Sequence, residues 1–192
     1  WSLEHMQKPD GSSVYLRLST RPIVQPERKL TPILADDVIR GAYWVDKPEG
    51  SVSVVIAYMG VMAPEAKKAY ETLKQDVPDA ALLAITSSDQ LFADWQKTRK
   101  LRQLGQSNEL SHIETLLQKV STLGGLVTVV DAYPASLSWL GGICGHRVES
   151  LGLNQFGQSG DSIDLYREYR IDADAILDAC ALLLSTAPIR GK

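Results

Sequence analysis

The sequence predicts an α/β protein: a three-layer, open, mostly parallel sheet with one antiparallel edge strand. Three observations predict it. Leu126–Val130 is an apolar, β-branched run whose length suits a strand buried on both faces, and it ends at Asp131. Pro134 then suits a first helical turn, Leu137, Leu140 and Cys144 recur at helical spacing, and Arg147–Leu153 resumes extended character after Gly145. Second, the helix-period stretch Pro64–Val77, with Ala66, Ala69, Tyr70 and Leu73 on one stripe, separates the buried strands Val52–Tyr58 and Ala80–Thr86. Third, only the short turn Asp46–Gly50 joins Val38–Val45 to Val52–Tyr58. A connection of that length permits antiparallel pairing alone, which makes Val38–Val45 the antiparallel edge.

The remaining segments follow in order. Residues 1–13 hold the end of a helix and a turn at Pro9–Gly11. Val14–Ser19 alternates, with Val14, Leu16 and Leu18 on one face, and reads as a half-buried strand. Pro22, Pro26 and Pro32 make 22–34 an extended linker with no helix or central strand. Residues 1–21 thus form the remnant of a preceding domain, and the α/β domain occupies 35–192. Asp36 and Asp37 precede a strand and close a turn. Ser88 caps a helix carrying Leu91, Phe92 and Trp95, which the polar stretch 97–108 continues or leaves as a loop. Ser111 and Glu114 have capping-box spacing ahead of Ile113, Leu116, Leu117 and Val120, in a helix stopped by Gly124. Asp161 or Ser162 caps a short helix with Ile163, Tyr166 and Tyr169. Asp172 caps a final one that buries Ala173, Ile176, Leu177 and Cys180, and the tail from Ser185 to Lys192 is frayed.

Composition narrows the function classes. A chain of 192 residues that is 44% hydrophobic can bury one sizeable core and an appendage. A net charge of −3 with a pI near 5.6 disfavours nucleic acid or an anionic membrane as partner. The longest apolar stretch, Val52–Val61, is broken by Ser53 and Gly60 and falls short of the roughly 20 residues of a membrane span. Cys144 and Cys180 form no disulfide framework and read as reduced core residues of a cytoplasmic protein. A start on Trp1 without a signal peptide points to a processed chain or a piece of a longer one.

Chemistry is sparse. In such a sheet the carboxyl ends of the strands form the default ligand crevice. Gly60, Ser87, Ser88, Asp131 and the loop 154–160 fall there, with helix capping the favoured role for the serines and the aspartate. Gly60 offers a turn for an anion, but no GxGxxG or GxxxxGK[ST] follows any strand. His5, His112 and His146 are scattered. His146 stands beside Cys144, yet the pair has no orienting group and no second pair at zinc-ligand spacing, which favours a structural or interfacial role. The basic stretch Lys97–Arg102 reads as a solvated surface. The residues alone supply no catalytic and no metal-ligating set.

One stretch carries a resemblance. In 151–183, Phe156-Gly157-Gln158-Ser159 is followed by Leu165-Tyr166 and then by Ile171-Asp172 opening the last helix. This resembles the C-terminal end of the transketolase family of thiamine-diphosphate enzymes. Tyr15–Pro22 and the proline-rich linker look like that family's last pyrimidine-domain strand leading into its C-terminal domain. Gly41–Val45 and Pro134–Gly152 look closest to homodimeric pyruvate dehydrogenase decarboxylase subunits. The resemblance implies a parent enzyme with thiamine diphosphate and Mg bound between two other domains, acting on a 2-oxo acid or a ketol unit, and placed in a homodimer or a larger 2-oxo acid dehydrogenase complex. It implies a structural and dimerisation role for this domain, without cofactor ligands of its own. It places a phosphate-contacting substrate arginine near Arg21, offset by one residue from the family pattern.

Three functional readings result: an inactive C-terminal domain of such an enzyme, a free-standing α/β ligand-binding or regulatory module using the crevice, and a small enzyme using His146 and Cys144. The first ranks ahead.

Overall fold

The computed structural model describes residues 1–19, 22–24 and 27–185. Arg21 and the tail residues 186–192 lie outside that description. The elements are α1 (Ser2–Met6), α2 (Pro32–Arg40), β1 (Ala42–Trp44), β2 (Val52–Met59), a 3-10 turn (Gly60–Met62), α3 (Ala63–Asp76), β3 (Ala81–Ile85), α4 (Ser88–Gln103), α5 (His112–Leu117), β4 (Val120–Val130), α6 (Ala135–Ser138), α7 (Gly141–Cys144), β5 (Arg147–Leu151), α8 (Ser162–Glu168) and α9 (Ala173–Ser185).

The strands form one sheet in the order β1-β3-β2-β4-β5. β2 is parallel to β3 from Val55↔Ala81 to Met59↔Ile85 and parallel to β4 from Val54↔Gly125 to Met59↔Val130. β5 extends the parallel set beside β4, and β1 runs antiparallel on the far edge. Alternation along β2 divides the core. Val54, Ile56 and Tyr58 face α3 and α9, against Ala66, Ala69, Leu73, Ile176 and Cys180. Val55 and Ala57 face the other layer, against Leu91, Ile113, Leu117, Leu137 and Leu140. Both faces are covered, as an all-apolar parallel strand requires.

Several expectations are corrected. Val38–Val45 is not one strand: α2 runs to Arg40, and only Ala42–Trp44 is extended. β1 pairs with β3, not β2. Both edges of β2 are taken by parallel neighbours, and the Gly41 carbonyl accepts from Thr86 N at 2.8 Å and Ser87 N at 3.1 Å, which fixes β1 beside the end of β3. Asp36 and Asp37 therefore lie in a helix. Pro32 starts that helix rather than excluding it, because Thr31 Oγ1 caps Leu34 N and the first turn needs no N–H from proline. Val14–Ser19 joins no strand. Tyr15 and Leu18 are 89% and 83% exposed, since no strand among the described residues pairs with the segment.

Further along, α5 ends at Leu117, and β4 begins at Val120 and passes through Gly124 after a register shift opposite Val52–Val54. Gly125 lies close against α9: a Cβ there would sit 2.9 Å from the Leu183 side chain, which would have to shift. Pro134–Cys144 is two one-turn helices, and Cys144 is exposed while Cys180 is buried. The caps at Asp161 and Asp172 hold: Asp161 accepts from Ile163 N at 2.9 Å and Asp172 from Ala175 N at 3.1 Å.

Gly41 joins α2 to the sheet with φ +107°, and a Cβ would meet Ser87 O at 2.6 Å and Leu91 Cγ at 2.9 Å. Gly41→Ala is expected to lose about 2 kcal/mol or more of unfolding free energy, measured by urea denaturation.

Candidate functional site

β2, β3, β4 and β5 point the same way, so their carboxyl ends share one edge. The strand order places the switch point there between β2 and β4, where Gly60 and Asp131 begin the outgoing turns. Gly60 has φ +61° and opens the 3-10 turn. Ser87 and Ser88 follow β3, and the exposed loop 154–160 follows β5. Topology therefore brings the expected crevice residues to one edge.

The two serine hydroxyls and the Asp131 carbonyl are engaged within the chain. Ser87 is the N-cap position of α4, and its Oγ donates to Asp89 Oδ1 at 2.7 Å. Ser88 is the first residue of α4, not its cap; its Oγ donates to Ser136 O at 2.7 Å and accepts from Trp139 Nε1 at 3.3 Å, tying α4 to α6. Arg17 Nη2 donates to the Asp131 carbonyl at 2.9 Å. Arg28 donates to the Tyr43 hydroxyl, and its guanidinium lies 4.9 Å from the centre of that ring. Tyr43 and Tyr58 flank Ala84 in register on adjacent strands, and burial, followed by the Tyr43 hydroxyl, pushes the Tyr58 phenol above its ordinary pKa. Arg17 thus reaches the end of β4 and Arg28 reaches β1. Sequence reasoning missed these two arginines, because neither lies in a pattern that announces a contact so distant along the chain.

His146 and Cys144 do not form a dyad. His146 is buried with no hydrogen-bond partner on either ring nitrogen. Burial lowers its pKa, with a smaller opposing effect from the Leu117 backbone. Cys144 is exposed as a residue, but shielding of its thiol and then the Glu114 charge push its pKa up, which disfavours the thiolate. His112 is structural: its Nε2 donates to Ala42 O at 2.8 Å, and its N–H to Asp94 Oδ2 at 2.8 Å. His5 bonds Ser12 in the N-terminal segment.

The best-built polar cluster lies at the start of α5. Ser111 and Glu114 form the expected capping box, with Ser111 N and Oγ donating to Glu114 Oε2 at 2.8 and 2.7 Å. Arg102 departs from the solvated-surface expectation. It turns inward and grips the same carboxylate with both guanidinium nitrogens, Nη1 reaching Oε2 at 3.0 Å. Burial alone would raise the Glu114 pKa, but the bonds from Arg102 and Ser111 bring it net below the usual carboxylate value. This cluster locks α4 to α5 and offers no open coordination position.

Thiamine diphosphate is held through a divalent cation that takes hard oxygen ligands. Among the described residues no group of three His, Cys, Asp or Glu is placed to hold a metal. Among the described residues, no helix is long and apolar enough to cross a membrane.

Comparison with known structures identifies the fold. Transketolase from Leishmania mexicana matches with a TM-score of 0.58 at 16% identity, over 80% of this chain and 19% of that one. Transketolase from Campylobacter jejuni matches with a TM-score of 0.54 at 17% identity, over 78% of this chain and 19% of that one. A split-gene transketolase, described as an inactive beta4 tetramer, matches with a TM-score of 0.53 at 14% identity, over 93% of this chain and 49% of that one. The chain has a transketolase-like α/β fold, and it spans about a fifth of the two full-length transketolases. No protein-family model matches the sequence, and no curated protein does.

Two pH signatures follow. Glu114 stabilises the fold above its unfolded pKa of about 4.3, and that contribution is lost as pH falls through its lower folded value. Arg102→Met is expected to cost about 2–3 kcal/mol at neutral pH and to flatten this acid limb in urea titrations. His146 acts near neutrality. Because its folded pKa is depressed, the unfolded chain takes up the proton first, so stability falls as pH drops below about 6.5. His146→Phe is expected to remove that slope in thermal melts across the same pH range.

Proposed function

We propose that this chain is the C-terminal structural and dimerisation domain of a larger thiamine-diphosphate-dependent enzyme, of the transketolase or pyruvate dehydrogenase type. The observation that carries the proposal is the fold match, which pairs most of this chain with about a fifth of a full-length transketolase. The carboxyl edge agrees with it, in that the Ser87 and Ser88 hydroxyls and the Asp131 carbonyl are bonded within the chain. In this reading the cofactor and its Mg lie in domains outside this chain, where thiamine diphosphate supplies the electron sink for decarboxylating a 2-oxo acid or transferring a ketol unit. Residues 1–21 are the remnant of the preceding pyrimidine-binding domain, and the folded domain starts at the helix capped by Thr31. Arg21 is the one residue of the chain assigned to a substrate phosphate.

Gly41–Val45 and Pro134–Gly152 favour a homodimeric pyruvate dehydrogenase-like parent over transketolase proper, and a 2-oxo acid dehydrogenase complex as its wider assembly. The parent is placed in the cytoplasm. The split-gene transketolase offers a parallel, since a chain containing this fold is described there as an inactive tetramer.

Sedimentation equilibrium of the chain, paired with a pyruvate turnover assay containing thiamine diphosphate and Mg, tests the proposal. A dimer without turnover is expected. Turnover by this chain would overturn the proposal, and a strict monomer would remove the dimerisation role.

A further inference from the structure

His146 is the single buried residue between Leu140 and Gly152. The one-turn helix α7 buries no side chain, and every residue of β5 is only half-buried. One imidazole therefore anchors this stretch to the core. A leucine or phenylalanine in that place would be held by apolar burial alone. His146 instead brings two ring nitrogens that are cut off from solvent, neither with a hydrogen-bond partner. The anchor holds while the ring is neutral, because an unpaired imidazolium is expelled from an apolar layer.

The surroundings give the proton little compensation. The ring lies against the Leu117 backbone at the end of α5, which favours the charged form less than burial opposes it. The start of α7 packs on the main chain here, where a Cβ on Gly141 would meet His146 O at 2.9 Å. On α5 the titratable side chains are His112, bonded to Ala42 O, and Glu114, gripped by Arg102 and Ser111. α7 carries Cys144. Arg147 and Glu149 alternate with Val148 and share with Leu151 the face of β5 that meets α9. α6 and β4 carry no titratable group.

The join before β5 is lightly held. Gly142 N donates to Trp139 O at 3.0 Å and Ile143 N to Leu140 O at 3.3 Å, and Gly145 ends α7 with φ +75°. β5 is more firmly placed, paired with β4 from Gly125↔Arg147 to Val129↔Leu151. Segments with few buried contacts open at the lowest free energy.

We propose that His146 is a proton-operated latch: when its ring takes up a proton it leaves the layer beneath α5, and residues 141–146 swing out while β5 and the rest of the sheet stay folded. The opening is confined to one join, separate from global unfolding. It uncovers the Cys144 thiol, which is shielded in the closed form.

The test is amide hydrogen exchange of the whole chain between about pH 8 and about pH 5, expressed as protection factors. Protection at Gly142 and Ile143 is expected to fall below a pH of about 6.5, by up to about tenfold per pH unit, as uptake of one proton requires. Low urea should leave exchange at these two amides unchanged and speed it in β2 and β3, because a local opening exposes little surface. His146→Phe should abolish the pH response, with His146→Leu as the second variant should the first not fold. The ratio of Cys144 alkylation rates, wild type over variant, cancels the thiolate fraction and should rise several-fold on acidification. The proposal is overturned if protection at Gly142 and Ile143 does not fall with pH, or falls equally in the variant. It is also overturned if urea speeds exchange there as it does in β2, or if the alkylation ratio is flat with pH.

Discussion

The structure depends on the burial of β2 from four sides. Its two edges are bonded to β3 and β4, and its two faces are covered by α3 with α9 and by the layer of α4, α5 and α6. Val54, Val55, Ile56 and Ala57 are all fully buried as a result. A strand so enclosed must be apolar on both faces and must hydrogen-bond on both edges, because any free N–H or carbonyl would be cut off from water. Every other placement follows from that requirement. α3 leaves the end of β2 and covers one face, and β3 returns beside it. β4 must then cross to the opposite edge, which creates the switch point at Gly60 and Asp131.

The edges of the sheet are held by weaker means. β1 has three residues and relies on the Gly41 carbonyl and on His112, whose ring bonds Ala42 O. β5 is only partly buried along its length and is tied down by Arg147, which donates to Leu183 O at 2.6 Å on α9. The Arg102–Glu114–Ser111 cluster joins α4 to α5 on the same layer. Of these fasteners Glu114 makes stability depend on acid, and the buried His146 adds a dependence near neutrality, while Tyr58 is the one titratable group among the described residues of β2, β3 and β4.

Much of this was legible in the sequence because it is local. The 3.6-residue stripe of α3, the unbroken apolar runs of β2, β3 and β4, and the caps at Ser111, Asp161 and Asp172 are each decided by neighbouring residues. The partner of β1 was not legible. A five-residue turn allows a hairpin, but the edges of β2 were already claimed by strands farther along the chain. Val14–Ser19 has a strand's alternation and no strand's partner, since alternation shows only that a face is apolar and not which surface covers it. Cys144 was misplaced because the helix that its spacing implied breaks at Trp139–Leu140, and the one-turn α7 leaves Cys144 exposed. The crevice residues were located correctly by topology, whereas Arg17 and Arg28, which engage that edge, carry no local signal. The turn of Arg102 toward Glu114 is likewise invisible to a reading that counts charges along one helix.

In the proposed function this domain is a scaffold whose parent holds its cofactor elsewhere. Calorimetric titration of the whole chain with thiamine diphosphate in the presence of Mg tests that most directly. Heats no larger than those of dilution are expected. A saturable exotherm or endotherm with a defined stoichiometry would contradict it.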